Sequence, residues 1–406
     1  MTRPPLLPFD DALERLLAQA RAVGEHETVP IMEAHGRVLA RPVRSTIDVP
    51  RADNTQMDGY AVRAAEATAG ARLPVSQRIP AGHVGGPLEP GTAARIFTGG
   101  LIPPGADAVV MQEMTEIDEG TVVIREAPAP GQWIRRAGED IREGAEILRA
   151  GERLRPQAVG LAASVGLAEV VVHRRARVAC FFTGDELATP GEPLPPGAIY
   201  NSNRYVLVGM LRALGCEVND LGTVPDSLEA TRAALREAAA GNDLIVTSGG
   251  VSVGEEDHIR PALEAEGELA LWQVAIKPGK PLAYGRVRDG ATRHAHFIGL
   301  PGNPVSSFVT FLLFVRPFLL RLQGVERVAP VALPMRADFD WSRPDRRREF
   351  LRARINEGGG LELFPHQGSA VLTSTAWADG LVDNPPGGEI HRGDTVRFLP
   401  FDSLLA

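Results

Sequence analysis

Four short loops carry residues whose types and spacing could do chemistry on a phosphate. Lys277-Pro278-Gly279-Lys280-Pro281 sets two lysines three residues apart in a loop stiffened by prolines, which would aim positive charge at an anion. Thr247-Ser248-Gly249-Gly250-Val251-Ser252 strings hydroxyls and glycines together, the composition of a nest of N–H donors. It runs into Glu255-Glu256-Asp257, which reads as a solvated helix start or as a metal site. Thr183-Gly184-Asp185-Glu186 joins a glycine that lets backbone approach a ligand to two carboxylates for a hard cation; its plainer reading is a capped turn. Leu300-Pro301-Gly302-Asn303-Pro304 reads as a helix start, with Asn303 as N-cap and Pro304 as first helical residue. It also reads as a helix N-terminus presented to an anion. Together the loops suggest a phosphate-bearing small molecule plus a divalent cation.

The elements that must position these loops alternate. Val178–Phe182 is expected as a strand, followed by a helix capped by Ser202 and running to Leu214. Then come a strand at Val218–Leu221, a helix at Leu228–Ala239 and a strand at Asp243–Val246. A helix at Ile259–Ala265, strands at Leu271–Ile276 and Ala295–Ile298, and a long helix at Pro304–Leu322 complete the series. Such alternation implies a parallel sheet with helices on both faces, and ligands bind beyond the carboxyl ends of such strands. Before it, residues 9–22 have helical spacing, and the stretch 42–145 reads as β-rich, with runs such as Ala108–Met111 and Thr121–Ile124. Pro156–Val165 is a further expected helix. After it, Glu349–Ile355 alternates with period two and Thr395–Leu399 reads as a closing strand, so a small β-barrel is expected from 326 to 406. The expected domains are 1–45 with 145–175, 46–144, 176–325 and 326–406.

Composition narrows the function classes. The 406 residues carry a net charge of −8, which argues against non-specific nucleic-acid binding and against an anionic membrane surface. Cys180 and Cys216 have no metal or redox spacing and read as buried, reduced thiols. The beginning, Met1-Thr2-Arg3-Pro4-Pro5, lacks the apolar core of a signal peptide. The apolar run Val305–Val315 is too short to span a bilayer, so a cytoplasmic enzyme is expected. The nine histidines show no ligand spacing.

Outside the α/β region three polar turns stand out: Asp53–Val62, Ile96–Gly100 and Gly138–Ile141. With these and the four loops in view, the chain resembles the molybdopterin molybdenumtransferase family, to which the matching domain of gephyrin is similar. The motifs that carry it run from Asp53–Val62 to Leu300–Ser306, with weaker support from Glu349–Arg352 and Gly368–Ser374. Tyr200-Asn201-Ser202-Asn203 carries Asn where many relatives carry Asp.

The resemblance implies a multidomain α/β plus β homodimer: a doubly wound molybdopterin-binding domain, an elongated β-rich insertion domain and a C-terminal β-barrel. It implies the reaction of adenylylated molybdopterin with molybdate, aided by Mg2+, to give molybdenum cofactor and AMP. It also implies upstream adenylyltransferase and acceptor molybdoenzymes as partners. Asp58, Thr98 and Asp140 would face the partner subunit's α/β loops. Glu186, Asp226 and Asp257 would hold the cation, with Asp58, Asp140, Glu186 and Asp257 as the catalytic carboxylates. Thr183, Gly184, Ser248, Gly249, Gly250 and Ser252 would line the substrate, with Pro301, Gly302, Asn303 and Pro304. Lys277 and Lys280 would hold molybdate, helped by Arg352 and Ser369 from the barrel. Two other classes fit the same residues less fully: an adenylyltransferase or nucleotide pyrophosphohydrolase on the α/β module, and a non-catalytic scaffold.

Overall fold

The computed structural model describes residues 6–250 and 258–405. Its centre is a six-stranded sheet. In chain order the elements are β1 (Arg177–Thr183), α1 (Ser202–Ala213), β2 (Glu217–Val224), α2 (Leu228–Ala239) and β3 (Leu244–Ser248). Then follow α3 (Ile259–Glu266), β4 (Gly267–Gln273), β5 (Pro281–Asp289), β6 (Arg293–Leu300) and α4 (Pro304–Leu322). The strand order is β2-β1-β3-β6-β5-β4.

Side chains that alternate between the two faces of each strand explain the layering. Val178, Cys180 and Phe182 of β1 pack on one face with α1 and α4, through Leu207, Leu211, Val305 and Phe311. Ala179 and Phe181 pack on the other with α2 and α3, through Leu235, Ala238, Ile259 and Leu263. A strand apolar at every position is what two helical layers require. At about 25 cal/mol per Å2, this two-sided apolar burial is the main force holding the loops' scaffold together.

Three sequence expectations are corrected. The sheet is not wholly parallel: β2, β1, β3 and β6 run parallel, but β5 is antiparallel to both β6 and β4. The unforeseen β5 arises because the Gly290 turn folds β5 and β6 into a hairpin. Two reversals return β4 to the common direction, so its carboxyl end joins the others. The run read as one strand, Leu271–Ile276, is divided: β4 ends at Gln273, and Ile276–Lys277 instead pairs with Arg348–Glu349 of the C-terminal sheet. The N-cap of α1 is Asn201, not Ser202; its side chain accepts from Arg204 N at 3.1 Å, the reach that an N-cap makes to the third helical residue.

Helix α4 is the one described helix long and apolar enough to cross a membrane, and its apolar stretch is 94% buried inside the protein. It is a core helix. Its register widens to a π turn over Phe311–Val315, just before Pro317, which has no N–H to donate.

The β-rich insertion is a six-stranded sheet whose order begins Ala108–Met111, Gly59–Val62, Ala93–Ile96, Arg72–Ile79 and ends Thr121–Ile124, Thr115–Asp118. At the C-terminus, Arg348–Ile355, Gly380–Asn384, Thr395–Pro400 and Leu333–Arg336 pair in succession. Leu361–Leu363 adds to the first of them, and an Ala337–Leu361 bridge joins the two ends. The sheet thereby closes on itself around Phe339, Leu351, Val382 and Phe398. Cys180 and Cys216 are free and buried, with their thiols pushed up to about 12 by burial.

Candidate active site

The carboxyl ends of β1, β3 and β6 meet at one corner. Gly249 follows β3 with φ +100°, and its N–H donates to Leu300 O at 3.2 Å. A Cβ on Gly249 would stand 2.8 Å from Thr183 O, so only glycine lets the β1 and β3 loops approach this closely. Ser248 is 3% exposed; its hydroxyl donates to Pro301 O at 2.9 Å and accepts from Asn203 Nδ2 at 2.8 Å. The same Asn203 amide donates to Gly302 O at 2.8 Å. Asn203, absent from the sequence-level site, thus clips β3 to the loop after β6. Its signal was the polar Tyr200–Asn203 run at the start of α1.

The start of α4 lacks a side-chain cap. Asn303 occupies the N-cap position, but its side chain makes no capping bond. The Val305 N–H donates instead to Ser369 O at 3.0 Å, so the barrel loop carrying Ser369 reaches this corner. Arg352 is not brought to the surface of the site. It is 1% exposed and bonds Ser374 Oγ, Phe350 O and Gly368 O; burial pushes its guanidinium down to about 10. Its bonds order the 367–369 loop.

Glu186 and Asp185 are exposed at the end of β1. A Cβ on Gly184 would meet Glu186 Oε2 at 2.6 Å, so the carboxylate folds back over the glycine. Asp226 N donates to Asp185 Oδ1 at 3.3 Å, which draws the β2 turn to this corner. These hard oxygen donors suit a divalent cation. Among the described residues, though, no three His, Cys, Asp or Glu side chains are grouped to hold a metal. Asp257, the remaining expected ligand, and Ser252 lie outside the described residues.

The two lysines have different surroundings. Lys277 Nζ is 3.0 Å from Glu349 Oε1 and 3.6 Å from Asp345 Oδ2, both in the C-terminal domain. Lys280 makes no such pair among the described residues. Gly279 between them packs on α4, where a Cβ would meet Thr310 Oγ1 at 2.3 Å. The lysine loop therefore lies against the same helix whose start faces the other loops.

Asp58 and Thr98 form a second assembly in the insertion domain, while the nearby turn of Asp140 is held by Asp140 N donating to Val49 O at 3.0 Å. Asp58 Oδ1 accepts from Thr98 Oγ1 at 2.6 Å and from Thr98 N at 2.8 Å. These two bonds hold its carboxyl below the usual carboxylate range, the hydroxyl contributing most. Thr55 pairs with Gly99 and Gly100, while Asp53 receives Arg136 Nη1 at 2.6 Å and Ala137 N at 2.9 Å. The three polar turns are thus stitched into one edge. Among the described residues, no hydrogen bond or ion pair joins that edge to the α/β loops of its own chain.

Three family descriptions match the chain in order. "MoeA N-terminal region (domain I and II)" covers residues 7–166, "Probable molybdopterin binding domain" 179–321 and "MoeA C-terminal region (domain IV)" 334–401. A molybdopterin molybdenumtransferase of Haemophilus influenzae is 39% identical over 408 residues, spanning 98% of this chain and all of the relative. The chain belongs to the MoeA family of molybdopterin molybdenumtransferases. A Mycobacterium tuberculosis member, molybdopterin molybdenumtransferase 2, is 38% identical over 92% of this chain and 94% of its own length. The MoeA architecture is shared in three dimensions as well. A molybdopterin biosynthesis MoeA protein of Pyrococcus horikoshii superposes with a TM-score of 0.85 at 30% identity, over 98% of this chain and all of that one.

Proposed function

We propose that the corner formed by Thr183, Ser248, Gly249, Pro301 and the start of α4 binds adenylylated molybdopterin, and that the lysine loop beside it binds molybdate. The chain inserts molybdenum into molybdopterin as a member of its family. The finer assignment rests chiefly on one observation. The Asn203 clip, the glycine contact to Thr183 and the Gly279 contact to α4 gather all four chemistry-bearing loops at one edge.

The corner offers what a pyrophosphate needs. Gly249 brings backbone close, and the start of α4, which no side chain caps, presents the positive end of a helix dipole. Lys280 supplies a point charge suited to a compact dianion. The adenylylated substrate would be held in place while an oxygen of molybdate, or a water, attacks the pterin-side phosphorus in line, breaking its bond to the bridging oxygen, which leaves with AMP. Positioning and electrostatics would carry most of the rate gain. A cation held by Glu186, Asp226 and Asp257 would supply charge neutralisation at the phosphate oxygens; Mg2+ is the expected ion.

Asp58, Thr98 and Asp140 would come from the partner subunit of a homodimer, since among the described residues no hydrogen bond or ion pair joins their edge to the loops of its own chain. The proposed setting is cytoplasmic. The test is incubation with adenylylated molybdopterin, molybdate and a Mg2+ series, following AMP. AMP release that depends on both molybdate and Mg2+ is expected. Release with neither would refute the assignment, and a normal Mg2+ profile in Asp257→Asn would place the cation elsewhere.

A further inference from the structure

Glu349 is 0% exposed, yet no element of the proposed corner contains it. Its carboxylate is fully engaged. Oε1 accepts from Lys277 Nζ at 3.0 Å; Oε2 accepts from Trp341 Nε1 at 2.8 Å, from Asp345 N at 3.1 Å and from Asn384 Nδ2 at 3.5 Å. Asp345 lies 3.6 Å from Lys277 and is gripped by Arg347 through two bonds of 3.0 and 2.8 Å. Lys277 and Arg347 carry two positive charges, and Glu349 and Asp345 two negative, so the group is neutral. The backbone repeats the link, since Ile276–Lys277 pairs in parallel with Arg348–Glu349.

We infer that Glu349 is a positioning residue for the molybdate step: it locks Lys277 into a neutral cluster with the barrel, so that Lys280 alone offers the loop's uncompensated charge to the oxyanion. This rests on the reading of the lysine loop as the molybdate site. A buried carboxylate is costly unless paired, so the cluster keeps Lys277 from turning toward the ligand. Two free lysines would hold a dianion more tightly, but the loop would lose the tether that fixes its geometry.

The test is Glu349→Gln. Gln keeps the volume and the acceptor for Trp341 and Asp345 N, but its charge is gone and the cluster becomes net positive. Apparent KM for molybdate is expected to fall about three- to tenfold, a partly screened charge effect, while kcat also falls. Equilibrium binding of molybdate alone should tighten in parallel. Asp345→Asn, at the rim of the cluster, should shift KM the same way if Glu349→Gln folds poorly. The double variant Glu349→Gln/Lys277→Met is neutral again and should return KM to within about twofold of the parent. Lys280→Ala should move KM oppositely, upward.

A merely structural role would change melting temperature and kcat without tightening molybdate. If Lys280→Ala raises KM while Glu349→Gln and Asp345→Asn leave it unchanged or raise it, the inference about Glu349 fails and the lysine-loop reading stands. If Lys280→Ala and Glu349→Gln both leave molybdate binding unaltered in an active enzyme, both readings fail.

Discussion

Replacing Ser248 by Ala separates two roles for a hydroxyl that the sequence assigns to substrate. In the structure that hydroxyl is spent within the protein, donating to Pro301 O at 2.9 Å and accepting from Asn203 at 2.8 Å. Removing it deletes two buried hydrogen bonds, each worth about 0.5–1.5 kcal/mol net, so the clip loses about 1–3 kcal/mol. For a domain of this size that lowers the melting temperature by roughly 2–4 °C per kcal/mol. If ordering of the corner is what the substrate uses, kcat/KM for adenylylated molybdopterin falls about five- to a hundredfold. Asn203→Ala removes one shared bond and the bond to Gly302 O, so it should resemble Ser248→Ala in both readouts. The double variant loses the shared bond only once, so it should be about 0.5–1.5 kcal/mol worse than either single one, with a coupling energy of about 0.5–1.5 kcal/mol. Thermal melting and steady-state AMP release measure both quantities. The reasoning is refuted if Ser248→Ala weakens substrate with no loss of melting temperature while Asn203→Ala does nothing. That pattern would mean that the hydroxyl meets the ligand directly.

Mixing Asp58→Ala with Lys280→Ala chains, at a molybdate concentration too low for Lys280→Ala alone to turn over well, should raise activity above that of either variant through hybrid dimers; no recovery under demonstrated subunit exchange would count against a shared site. Thr98→Val removes the largest cause of the lowered Asp58 pKa, so the carboxyl should protonate at higher pH and the acid limb of the kcat/KM profile should move upward. An unmoved limb would exclude Asp58 as the group titrating there. His296 is pushed from 6.5 down to about 4, mainly by burial and then by Arg286. Its folded pKa is depressed, so its stability contribution is present above pH 6.5 and is lost as pH falls toward 4, by about 3 kcal/mol at most. His296→Gln should flatten the fall in chemical-denaturation stability across that window, and an equally steep fall would assign the acid sensitivity to other groups.

How much was legible depended on the range of the signal. Short apolar strands set between 8- to 12-residue helices, with Gly and Pro at the joins, were readable because burial on two faces leaves a local trace. Leu228–Ala239 was found at its observed limits, with Ser227 capping it. The C-terminal strand beginning near Glu349 was found because its apolar residues repeat every two positions. The three polar turns of the insertion domain were also visible one by one, although their union through Asp53, Thr55 and Arg136 was not.

The sequence by itself determined the family and its activity, through the family's ordered motifs, and singled out the loops proposed to carry that chemistry. Adjacent glycines after a strand and lysines each followed by proline declare their constraints locally. Tertiary structure alone decided what each group has left to offer. Lys277 and Lys280 are alike in sequence, yet one is claimed by a carboxylate 72 residues away and the other has no such pair among the described residues. Arg352 looks like any strand arginine until barrel closure buries it, and Leu271–Ile276 looks like one strand until two sheets compete for its halves. The physical reason is common to all three. A local pattern records the preferences of a residue's own segment, but charge compensation, desolvation and strand pairing depend on partners that only the closed fold brings within reach.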